Sequence, residues 1–263
     1  MPSSRKIRFM AVAVLLAAGV AGVPATAQQA KPTPPTAADW AALAKLPDFT
    51  GVWEVSFGPP GGRGGGGRGG ARAGGPPAGP QLTPAYVEKR RVRTANPPED
   101  SQAANCLPPG MPGIMGQPYP IEFLLTPGLV TIVIEAYTQV RHIYTDGRPL
   151  PEDPEARFHG TSIGHWEGDT LVAETVGFSP QTDLAGNTPH SEKMKIVERF
   201  RLTDPDTMTI ETTVTDPEAL TAPWVSTRSL RRHRAWTIAE YICEENNRNS
   251  VDANGKAGIN IKK

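Results

Sequence analysis

Ile196-Val197-Glu198-Arg199-Phe200-Arg201-Leu202, a break at Asp204-Pro205-Asp206, then Met208-Thr209-Ile210-Glu211-Thr212-Thr213-Val214-Thr215 is the stretch that decides how this chain folds. Apolar and polar residues alternate with a period of two on both sides of the break, which is the pattern of a half-buried strand and not of an amphipathic helix. Asp-Pro-Asp supplies turn chemistry between them, so the stretch predicts a hairpin. The same pattern recurs outward on both sides. It predicts strands at Asp48–Val55, Glu122–Thr126, Val130–Thr145, Phe158–Trp166, Thr170–Phe178, Met194–Leu202, Met208–Thr215, Trp224–His233 and Trp236–Cys243. Pro127-Gly128, Asp146-Gly147, Glu167-Gly168-Asp169 and Asp216-Pro217 punctuate them. Consecutive hairpins in that number tend to close, because closure removes exposed edges. The expected fold is therefore mainly β and antiparallel, a closed barrel, with a β-sandwich as the alternative.

The remainder of the chain reads differently. Arg5, Lys6 and Arg8 precede an uncharged run from Met10 to Val23, and Ala25-Thr26-Ala27 follows. That is the three-part layout of an export signal cleaved before Gln28. A membrane-spanning helix needs about 20 apolar residues, and this run is shorter and broken by Gly19, Gly22 and Pro24. The expected location is the periplasm or the medium, with no membrane span. Residues 28–47 read as a tether with one short helical turn at Trp40–Leu46, and 48–263 as a single β domain. Gly58–Pro80 is so rich in Gly, Pro and Arg that it has little apolar surface to bury, and it is expected to be a disordered loop. Pro84–Arg93 is expected to form a short helix, and Met111–Pro120 to be irregular.

The leader would take three of the 27 basic residues and none of the 27 acidic ones. A mature chain with 24 basic against 27 acidic residues gives no reason to expect a nucleic-acid partner. The only cysteines, Cys106 and Cys243, both lie in the exported part, so a disulfide between them is expected, with a catalytic thiol as the rival reading.

Gly164-His165-Trp166-Glu167-Gly168-Asp169-Thr170-Leu171-Val172, with Glu174-Thr175-Val176-Gly177-Phe178 after it, resembles a large family of secreted bacterial proteins of unassigned function. The likeness extends to Pro120-Ile121-Glu122-Phe123, Ile143–Arg148, Glu198-Arg199-Phe200 and Glu240-Tyr241-Ile242-Cys243. It covers most of residues 105–248 and implies no particular reaction. Separately, Phe49-Thr50-Gly51-Val52-Trp53 is similar to the Gly-x-Trp opening of lipocalin-like barrels, which implies a cup for a small apolar ligand. A Trp that plugs one end of any β domain would look the same.

Charges on apolar strand faces are the candidates for chemistry, since burying an unpaired charge is costly. Alternation puts Glu198 with Ile196, Phe200 and Leu202, Glu174 between Val172 and Val176, and Glu135 between Val133 and Tyr137. Arg228, in line with Trp224, Ser226 and Leu230, is the expected partner of one of these acids, as a structural ion pair or a ligand-orienting site. His165 shares a face with Glu174 if the hairpin loop is Glu167-Gly168, and a loop one residue longer reverses that. His142, His159, His165, His190 and His233 show no zinc-ligand spacing, so no metal is expected. The chain has no Gly-x-Ser-x-Gly elbow, and no Lys-Ser or Lys-Thr follows the glycines of 61–70. No cofactor is implied.

The expected function is interior binding of a small, largely apolar molecule, with Glu198, Glu174 and Arg228 as anchors and Trp224 and Tyr137 as walls. The rival is a cofactor-free lyase, isomerase or hydrolase in which one acid and His165 move a proton. A third reading is a cell-envelope interaction protein that uses the Gly/Pro-rich loop.

Overall fold

Alternation in Lys195–Asp204 and Thr207–Thr215 buries Ile196, Glu198, Phe200, Met208, Ile210, Thr212 and Val214 on one common face. Nine strands wrap that face into the inside of a closed barrel. The computed structural model describes residues 34–56, 79–95, 106–243, 250–251 and 257–258. Two helices, α1 (Ala37–Leu43) and α2 (Pro84–Ala95), flank β1 (Gly51–Val55) in the chain. Then come β2 (Ile121–Thr126), β3 (Leu129–Ile134), β4 (Gln139–Tyr144), β5 (Thr161–Glu167) and β6 (Thr170–Val176). A small hairpin of β7 (Asp183–Ala185) and β8 (Thr188–Pro189) precedes β9 (Lys195–Asp204), β10 (Thr207–Thr215) and β11 (Trp224–Arg232). The order around the barrel is β1-β11-β10-β9-β6-β5-β4-β3-β2, and β1 closes it by pairing with both β11 and β2.

The barrel is mixed, because β4 and β5 run parallel through Ile143↔Ser162 and Tyr144↔Ile163. Parallel neighbours need a crossover of about a dozen residues or more, and residues 145–160 provide it. Two strand expectations are corrected. Val130–Thr145 is two strands, because the chain reverses at Glu135–Thr138, where Tyr137 and Thr138 take left-handed φ of 58° and 50°. With no Gly, Pro, Asn or Asp there, the turn left no signature in the sequence. Trp236–Cys243 forms no strand, since β11 already pairs on its far side with β1. The tether holds a two-turn helix, α1, started by a reciprocal capping box between Thr36 and Asp39. The leader lies outside the described residues, as does the Gly/Pro-rich loop apart from residues 79 and 80.

The registers put the 126–129, 167–170 and 204–207 turns at one end of the barrel. Trp53, Phe49 and Trp166 fill that end. The Trp53 Nε1–H donates to the Phe49 carbonyl at 3.0 Å, and Phe49 lies 5.2 Å from the Trp166 ring. The Arg232 guanidinium sits over the Trp53 indole at 4.5 Å and donates to Asp48 Oδ2 at 3.0 Å. At the opposite end the 3₁₀ turn Gly113–Gly116 brings the buried Met111, Ile114 and Met115 into the core.

Cys106 and Cys243 are joined across 137 residues, which ties the segment carrying that 3₁₀ turn to the chain beyond β11. Closing so long a loop constrains the unfolded chain. Replacing both cysteines by serine should lower the unfolding free energy by about 2–5 kcal/mol, read in urea as a reduced midpoint with a steeper slope, because the released unfolded chain exposes more surface.

Candidate functional site

The inside of the barrel is apolar at the Trp53 end and polar towards the other. Pairing of β9 with β10, and of β10 with β11, sets Glu198 beside Thr212 and Thr212 beside Ser226. Pairing of β6 with β9 sets the small Ala173 against Glu198, which leaves room for its carboxylate inside. The partner of Glu198 is Arg141 of β4, with Arg141 Nη2 donating to Glu198 Oε2 at 2.5 Å and both side chains 1% exposed. Arg141 Nη2 also donates to Thr175 Oγ1 at 3.1 Å, and the Thr175 and Ser162 hydroxyls lie 2.9 Å apart.

Three buried polar atoms of this cluster have no hydrogen-bond partner among the described residues: Arg141 Nη1, Glu198 Oε1 and Thr212 Oγ1. His159 Nε2 is a fourth such atom close by, facing the field of Arg141. Burial, and then the Arg141 charge, push the His159 pKa down to about 4, while a hydrogen bond to the Val140 backbone acts the other way. The imidazole is therefore neutral at pH 7. Arg228 points inward from β11, half-buried, with no hydrogen bond among the described residues. Burial lowers its pKa and the Glu198 carboxylate opposes that shift. Its Nε would lie 2.9 Å from a β-carbon at position 116, so the backbone of Gly116 rests against the guanidinium. Among the described residues, Arg141 and Arg228 against Glu198 leave this cluster with a net positive charge.

The remaining predicted site residues fall elsewhere. Glu174 is on the outer face, where it pairs with Lys195, because the alternating Leu171, Ala173 and Thr175 are the inward residues of β6. His165 does share a face with Thr170, Val172 and Glu174, but it is the outer one. The hairpin loop is Gly168-Asp169, with Glu167 opposite Thr170, and this register has the parity the shorter expected loop implied. His165 is 56% exposed and hydrogen-bonds Glu167 at 3.1 Å, while Arg199 holds the same carboxylate at 2.8 Å. His165 and Glu198 therefore form no acid/base couple.

Glu135 is not within a strand. It lies at the β3–β4 reversal, where Oε2 accepts from the Ala239 N–H at 2.9 Å. Tyr137 belongs to the same reversal, its ring 5.4 Å from that of Tyr241, so both residues hold down the C-terminal segment and are not interior walls. Trp224 does face inward, half-buried against the core. Sequence reasoning missed Arg141, Ser162, Thr175, Thr212 and His159. Arg141 left one trace: in Gln139–Tyr144 it alternates with Ile143, while Val140 is the half-exposed residue. Among the described residues no group of three or more His, Cys, Asp or Glu converges as metal ligands. No helix among them is long and apolar enough to cross a membrane.

The expected pairing of Glu198 with Arg228 is replaced by pairing with Arg141, and this sharpens the consequence of Glu198→Gln. The substitution leaves a fully buried cation unpaired and should cost about 3–5 kcal/mol in a urea titration. His159 sets a pH dependence. Its folded pKa of about 4 is below the unfolded value, so the unfolded chain binds the extra proton and stability falls as pH drops from about 6.5 to 4. The loss over that window should be roughly 2–3 kcal/mol and should shrink in His159→Gln, measured as unfolding free energy against pH.

No family model and no curated protein matches the chain. Among solved structures it is similar to a point mutant of the fluorescent protein UnaG, at 14% identity and a TM-score of 0.31. That similarity covers 70% of this chain and 96% of the other.

Proposed function

We propose that the protein is an exported binding barrel that holds a small, largely apolar molecule bearing an anionic group, with the anion at Arg228. The observation that carries this reading is the Arg228 guanidinium itself: inside the barrel, half-buried and without a hydrogen bond among the described residues. Partial burial takes hydration from a guanidinium, and a bound anion would make good that loss. Glu198 is committed to Arg141, so the cation in excess is Arg228. A carboxylate or similar anion would cancel the net charge, and Thr212 Oγ1 and Arg141 Nη1 are further donors without hydrogen-bond partners among the described residues. Trp224 and the apolar residues towards Trp53 suit the remainder of the molecule. The export reading, and membership of the secreted bacterial family that Gly164–Val172 resembles, belong to the same proposal.

A second reading has one observation in its favour. His159 is a neutral imidazole whose Nε2 is buried near Arg141 without a hydrogen-bond partner among the described residues, as a general base would be. This moves the acid/base role from His165 to His159.

The test is native mass spectrometry of the protein purified from the periplasm, followed by incubation with whatever co-purifies. A ligand returned unchanged supports binding, and conversion supports catalysis by way of His159. Arg228→Leu should abolish ligand retention while leaving stability equal or higher, since it removes a half-buried cation whose burial works against its charged form. A variant that retains the ligand at wild-type occupancy would overturn the assignment of Arg228.

A further inference from the structure

Beyond β11 the chain folds back over the outside of β1. The His233 N–H donates to the Val52 carbonyl at 2.8 Å, and the Trp236 N–H to the His233 carbonyl at 3.2 Å. The His233 ring hydrogen-bonds Glu54 at 3.2 Å and stacks on the Trp236 indole, with centroids 3.6 Å apart and planes 8° from parallel. One indole face is thus clamped, and Trp236 as a whole remains 44% exposed. Beside it, at the rim of the Trp53 end, lies a cavity of about 220 Å³ lined by Asp48, Gly51, Glu122, Arg232, Arg234 and Trp236, among others.

The lining is specific in its chemistry. Arg232 has a side chain 5% exposed, held by Asp48, with Nε 4.0 Å from Asp206 Oδ1 and without a hydrogen bond among the described residues. Arg234 is held by Asp206 at 2.6 Å. Glu122 has no hydrogen bond or ion pair among the described residues, and Gly51, at a φ of 102°, has nothing within 4 Å of where a β-carbon would sit. Asp48 and Glu122 balance Arg232 and Arg234, so a free anion or cation gains little here. The volume is below the ≈ 300 Å³ at which sites for drug-sized ligands begin, which limits the occupant to about one ring.

We propose that this cavity binds a single pyranose ring. Vicinal hydroxyls both donate and accept, and they match planar carboxylates and guanidiniums held in fixed positions. Trp236, held by its stack on His233, lines the cavity and gives a C–H group of the sugar an apolar contact. The site lies on the outer wall, so it is separate from the interior site assigned to Arg228.

The experiment is saturation-transfer NMR on the full exported chain with glucose, galactose, mannose and N-acetylglucosamine, each at up to about 20 mM, a range that detects millimolar Kd. At least one sugar should give a saturable signal. Trp236→Ala and Glu122→Gln should each weaken it about tenfold or more with unchanged melting curves, and Arg228→Leu should leave it intact. Absence of saturable binding by all four sugars would overturn the proposal. So would binding indifferent to both substitutions, or glycine competing the sugar away, which would mark a zwitterion site.

Discussion

The barrel depends on one five-residue strand. β1 is hydrogen-bonded on both sides, through Trp53↔Ile121 to β2 and through Trp53↔Arg232 to β11, and without it the sheet would have two open edges. The same residue that sits in both ladders fills the end of the barrel. Trp53 is fully buried, its N–H is taken by Phe49 and its face by Arg232, so closure and plugging are a single event. A bulky aromatic with a polar handle suits that position, because it removes a large apolar area from water while satisfying its one donor. The interior is thereby closed off at that end.

Enclosure changes the meaning of charge. On the outer wall, Glu167 with Arg199 and His165, Asp169 with Arg201, and Glu174 with Lys195 are exposed pairs, screened by water and weak. The same residue types inside, Arg141 and Glu198, are nearly inaccessible to water, and there the loss of either partner is expensive. A buried ion pair is weak evidence of stabilisation, since an apolar pair of similar volume often does as well. Its surroundings are the better guide. The cluster keeps bare donors and acceptors at Arg141, Glu198, Thr212 and His159, and it sits beside a third charge, Arg228, that nothing in the described chain neutralises fully. A core selected for stability alone would not hold that set.

The segment over the open end links the two. Met111, Ile114 and Met115 contribute apolar cover, Gly116 allows the backbone to reach Arg228, and the disulfide from Cys106 to Cys243 holds the segment to the far end of the chain. Sequence composition marked this stretch only as irregular, because Pro and Gly declare what a segment cannot be and not where it goes.

The sequence by itself determined most of the strands and their turns, the mainly β class and the inward side of β9, and it pointed to the disulfide partners. That the sheet closes into a barrel and not a sandwich was decided by the tertiary structure, where β1 pairs with both β11 and β2. In Ile196-Val197-Glu198-Arg199-Phe200-Arg201-Leu202 one face carries three large apolar residues and the other two arginines, so only one orientation is possible. It did not determine orientation where both faces are mixed. β6 carries Leu171, Ala173 and Thr175 on one side and Val172, Glu174 and Val176 on the other, and the choice fell to the side whose small Ala173 makes room for Glu198. Nor did it determine who pairs inside. Arg141 and Glu198 are 57 residues apart, on strands separated around the wall by β5 and β6. A period of two specifies which residues share a face, whereas contact across the interior depends on the closure and register of the whole sheet, and those exist only in the folded chain.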